Sequence, residues 1–130
     1  MRNGLLMTLL PFLAVIHFSG PCRKDKLPAN CDEPKARYTL KVGEQVRFCL
    51  VSNPTTGYSW YWLNSSTVRA VDSVGRLYTP DAKGVPGSGG REAWSFRARL
   101  SGRDTLRLGY RRPWEADAPV REVSVIIVVK

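Results

Sequence analysis

The chain has 130 residues, 43% of them hydrophobic and 24% charged, a balance that sizes it for one domain with an apolar core and excludes extensive disorder. Its formal net charge is +9, from 20 Lys and Arg against 11 Asp and Glu, which favours acidic partners although the charges are scattered along the chain. The only histidine is His17, inside a segment expected to be removed, so the mature chain lacks Ser-His and Cys-His catalysis and the usual zinc sites.

In chain order, residues 1–20 read as a signal peptide: Met1-Arg2 gives a positive start, residues 5–18 are nearly all apolar, and Ser19-Gly20 supplies small residues for cleavage. The apolar run is about 14 residues, short of the roughly 18 that suggest a spanning helix, and Pro11 interrupts it. The expected location is secreted or periplasmic, with no membrane span. Pro21 directly before Cys22 argues against lipid attachment there. Residues 21–37 form an irregular lead-in. In an oxidising compartment Cys22 and Cys31 can close a short loop, while Cys49, inside a strand pattern, reads as a buried small apolar residue; one cysteine is left over in any case.

From residue 38 to 130 the pattern has period two. Val46, Phe48 and Leu50 alternate with Arg47 and Cys49; Trp94, Phe96, Ala98 and Leu100 alternate with Ser95, Arg97 and Arg99. Leu106, Leu108 and Tyr110 form a third face, and Val123, Val125, Ile127 and Val129 a fourth. Such alternation marks strands with one buried face. Residues 58–63 are rich in aromatics and fit another strand, with shorter ones at 38–42 and 68–78, the last bent near Gly75. The expected fold is all-β: an immunoglobulin-like sandwich of about seven to eight antiparallel strands.

Three connections carry unusual residues. Asn53-Pro54-Thr55-Thr56-Gly57-Tyr58 has a proline that fixes φ and pushes Asn53 towards extended geometry, and a glycine able to take positive φ. Residues 84–90, with Gly87-Ser88-Gly89-Gly90 at the centre, let another backbone approach closely. Arg112-Pro113-Trp114 places in a loop the two residue types most enriched at the energetic centres of interfaces. Taken alone, the first reads as a tight strand connection and the second as a flexible loop, while the tryptophan of the third reads equally as one folded back over the sandwich edge. In an immunoglobulin-like sandwich, however, the loops B–C, D–E and F–G emerge at one pole, and these are the three segments concerned. Glu115 and Asp117 read as solvated loop charges rather than a catalytic carboxylate pair.

Taken together, in this order and spacing, the three loops resemble the chagasin-like inhibitors of papain-family cysteine proteases. Residues 53–58 are similar to that family's NPTTG-aromatic loop, 87–90 to its GxGG loop and 112–114 to its RPW loop. The resemblance runs from about Tyr38 to Val129. It implies a monomeric inhibitor that binds papain-like proteases reversibly and competitively, without a cofactor, metal or nucleic acid. Thr55-Thr56 would lie over the catalytic Cys-His pair, the glycine strip beside the non-primed subsites, and Trp114 on the primed side with Arg112 giving polar contacts. An exported adhesion or ligand-binding module of the same fold is the competing expectation.

Overall fold

The computed structural model describes residues 31–82 and 84–130; the expected signal peptide, Cys22 and most of the lead-in lie outside them. The strands are β1 (Arg37–Leu40), β2 (Gln45–Ser52), β3 (Ser59–Trp62), β4 (Val71–Pro80), β5 (Gly90–Ala98), β6 (Gly102–Arg111) and β7 (Arg121–Val129). They form two sheets, ordered β1-β7-β6-β3 and β2-β5-β4. With β2 as strand B, this is the B-E-D sheet facing a C-F-G sheet of an immunoglobulin-like sandwich.

The alternating side chains meet between the sheets. Phe48, Phe96, Leu106, Leu108, Val125 and Ile127 are fully buried there. Phe96 is the hub: Phe48 and Trp94 stack on it at 5.8 and 6.1 Å, and Trp62 meets it edge-on at 5.2 Å. Each such side chain contributes roughly 1.5–3 kcal/mol by leaving water. The expected β5 face loses only Leu100, which lies beyond the end of the strand and is exposed.

Two expectations are corrected. The pairing is not antiparallel throughout, because β1 runs parallel to β7. A tight turn closed by Glu44, which accepts from the Lys41 N–H at 2.8 Å, passes the chain from one sheet to the other, so β1 ends on the free edge of β7. The disulfide joins Cys31 to Cys49, not to Cys22. Cys49 has the parity of Arg47, so it faces away from the main core and meets Ala93 on the outer side of its sheet. The lead-in lies along this edge, where the Cys49 N–H donates to the Asp32 carbonyl at 2.9 Å. Cys31 is thereby brought onto Cys49, covering an otherwise open strand edge.

Strand β4 also departs from the expected 68–78. It begins later, and its register against β5 shifts between Ser73 and Gly75. The bend expected at Gly75 is a β-bulge.

Candidate functional site

The Thr-containing connection is built by its own short hydrogen bonds. Asn53 is near-extended (φ −135°, ψ 86°), and Pro54–Thr56 form a single 3-10 turn ended by Gly57 at φ 82°. The Asn53 carbonyl accepts from the Thr56 N–H at 3.2 Å and the Thr56 hydroxyl at 2.6 Å. The Thr55 hydroxyl donates to Asn53 Oδ1 at 2.5 Å. Both threonines thus spend their hydroxyls inside the loop and leave an exposed tip of fixed shape. Below it, the Asn53 N–H donates to the Tyr110 hydroxyl at 2.8 Å, and Tyr58 stacks on Tyr110 at 5.4 Å.

The glycine strip lies alongside. Gly87 and Gly89 have positive φ, 77° and 74°. Asn53 Nδ2 donates to the Gly87 carbonyl at 3.4 Å, and Ser88 Oγ donates to that of Ala82 at 3.4 Å. Gly90, expected in the loop, is the first residue of β5. A Cβ there would sit 2.3 Å from the Thr79 carbonyl oxygen, so only glycine permits this strand pairing. Between the strip and Thr55 is an open depression of about 340 Å³.

The third connection reaches across from the other sheet. Trp114 is 69% exposed. Its indole edge lies over Gly57, where an added Cβ would be 2.3 Å from Cη2. Arg112 donates from Nε to the Thr56 carbonyl at 3.0 Å and from Nη1 to Glu115 Oε1 at 3.0 Å. Its guanidinium covers the Tyr58 ring at 4.4 Å. The hydrogen bond to Glu115 raises the Arg112 pKa further above the arginine range, so the group stays charged. Pro113 is exposed beside it.

The structure therefore brings all thirteen candidate residues, twelve in three connections and Gly90 at the start of β5, to one pole of the sandwich. It adds partners that residue type alone did not reveal. Glu115 is half-buried and paired rather than solvated. Tyr110 serves the rim as well as the core. Glu92, 1% exposed, sits beneath the loops. Its signal was its parity, two residues before Trp94 on the same inward face.

A sandwich that presents an ordered rim of three interlocked loops is a recognition protein of the immunoglobulin-like class. The model of the chagasin family of peptidase inhibitors (I42) matches residues 39–129. Chagasin of Trypanosoma cruzi is 35% identical over 83 residues, covering 61% of this chain and 74% of that protein. Amoebiasin-1 of Entamoeba histolytica is 30% identical over 99 residues, 76% of this chain and 95% of that protein. The crystal structure of the cysteine protease inhibitor EhICP2 from Entamoeba histolytica superposes with a TM-score of 0.62 over 76% of this chain and 88% of that one, at 22% identity, a likeness of fold. The chain belongs to the chagasin family of peptidase inhibitors. It is a peptidase inhibitor and not an enzyme.

Proposed function

We propose that the three loops act together, filling the active-site cleft of a papain-like cysteine protease in a reversible and competitive complex. The carrying observation is their interlocking: Arg112 holds the Thr56 carbonyl, Asn53 holds the Gly87 carbonyl, and Trp114 rests on Gly57. A rim already tied together loses little entropy on docking, so more of its contact energy becomes affinity. Complexes of this kind bury about 1,600 Å² in total, an area that three adjacent loops can supply.

In this reading Thr55-Thr56 covers the catalytic Cys-His pair. A scissile peptide must lie extended across the nucleophile, whereas Pro54–Thr56 is a 3-10 turn, so the loop occupies the cleft without offering a cleavable bond. Gly87-Ser88-Gly89-Gly90 lies beside the non-primed subsites, where bare α-carbons admit another backbone. Trp114 stacks on the primed side, and Arg112 holds the tip for it.

Export of the chain fits the same reading. The apolar segment 5–18 is its signal, and the Cys31–Cys49 bridge supports an oxidising compartment, secreted or periplasmic.

Titration of the purified protein against papain, with a serine protease as control, tests the proposal. Stoichiometric, competitive and reversible loss of papain activity alone is expected. Papain left untouched by a folded preparation would sink it.

A further inference from the structure

Glu92 is a carboxylate inside a hydrophobic sandwich. It shares the inward face of β5 with Trp94 and Phe96 and is 1% exposed. Its oxygens are fully engaged. Oε1 accepts from the Ser52 hydroxyl at 2.6 Å and the Trp60 N–H at 3.3 Å. Oε2 accepts from Arg76 Nε at 3.0 Å and Nη2 at 2.9 Å.

Arg76 reaches this carboxylate because of the bulge in β4. Before it, Ser73 pairs with Phe96; after it, Gly75 pairs with Ser95 and Arg76 with Trp94. An unbroken register would set Arg76 opposite Ala93, on the outer face. The inserted residue turns Arg76 inward, where its guanidinium lies 5.1 Å from the centre of the Trp94 ring. A bulge that re-aims one side chain is a feature with a task.

Stability alone does not account for the arrangement. The Glu92 carboxylate bears the full desolvation cost, while its partner Arg76 is 39% exposed and its attraction is screened by water, so the pair adds little net stability. The location is more telling. Ser52 and Trp60 are the two stems of the threonine loop, one in each sheet, and Glu92 itself lies two residues beyond Gly90. One carboxylate thus bridges the gap between the sheets directly below the rim. The Trp60 ring then packs on Tyr110 at 5.1 Å, and Tyr110 accepts from the Asn53 N–H.

We infer that Glu92, with Arg76, is a positioning element for inhibition: the buried carboxylate, clamped from the sheet edge by a guanidinium that is 39% exposed, sets the spacing of the two sheets at the loop pole and so aligns the threonine tip with the glycine strip and Trp114. It touches no protease. The inference rests on the three-loop reading of the inhibitory surface.

The test uses the full chain carrying Arg76→Met with Glu92→Met, a charge-free pair of similar bulk. A cooperative melt is expected, lowered by the Ser52 and Trp60 donors that lose their acceptor, with papain inhibition at temperatures where the variant is folded weakened about tenfold or more, chiefly through faster dissociation. Glu92→Gln, which keeps an acceptor for Ser52 and Trp60, should recover part of that loss. Wild-type inhibition by the folded double variant overturns the inference. Should the double variant not fold, Glu92→Gln and Ser52→Ala decide it, and inhibition constants within about twofold of wild type for both overturn it equally. Trp114→Ala runs in parallel. If it too leaves inhibition unchanged, the three-loop reading fails; if it alone weakens inhibition, only the role of Glu92 fails.

Discussion

At Gly57 the backbone and a distant side chain make the same demand. Its φ of 82° suits glycine, and its bare α-carbon is the seat of the Trp114 indole. Gly57→Ala should therefore act twice. The strained φ costs about 1 kcal/mol of stability, and the methyl pushes the indole off its seat. Inhibition of papain should weaken about tenfold or more, while Trp114→Ala alone should cost roughly 2 kcal/mol of affinity. The two changes share one contact, so the double variant should be little worse than Trp114→Ala. Additive losses would show that the glycine acts on affinity without the indole. The residues of the rim were legible in the sequence where they carry backbone information: Pro54, Gly57 and the glycine strip restrict or free φ locally. Partner choices were not. Tyr110 meets Asn53 across 57 residues, Arg112 meets Thr56 across 56, and no local pattern encodes such contacts.

Among the elements, β2, β5, β6 and β7 were readable because each buries one face and exposes the other. β4 was harder, since it is largely exposed and its bulge interrupts the alternation. The disulfide was misread for a related reason. Parity correctly set Cys49 apart from Val46, Phe48 and Leu50, but the lead-in supplies the second cysteine on the outer face, and an irregular segment has no period to read. Its bridge closes a segment with a sequence separation of 18, worth about 3 kcal/mol through the unfolded chain. The bridge lies on the outer face, away from the three loops. Cys31→Ser with Cys49→Ser should accordingly lower the unfolding free energy from urea titration by about that amount, yet inhibit papain as the wild type does at temperatures where the variant is folded. Loss of inhibition in the folded variant would mean that the lead-in supports the rim.

For the molecule as a whole, core and charge govern different quantities. Phe48 and Val125 are fully buried in opposite sheets, and an unpaired carboxylate at either place costs several kcal/mol, comparable with the total stability of a small domain. Phe48→Asp or Val125→Asp should abolish the cooperative melt in calorimetry. The surplus of +9 works instead over distance. Arg91, Arg111 and Arg121 lie at the loop ends of β5, β6 and β7, with Asp81 and Asp117 in the adjoining connections, while Arg112 is paired with Glu115, so a small part of that surplus sits at the pole proposed to meet the enzyme. Such a field raises the association rate with an acidic protease and scarcely alters dissociation. Raising ionic strength from about 0.01 M to 0.15 M shortens the screening length from about 30 to 8 Å, and association measured by stopped flow should slow several-fold with the dissociation rate unchanged. A basic protease of the same fold should show the opposite trend, its association quickening as salt masks the repulsion. Equal salt dependence for the two enzymes would remove electrostatic steering from the account, leaving the shape of the rim as the sole determinant of encounter.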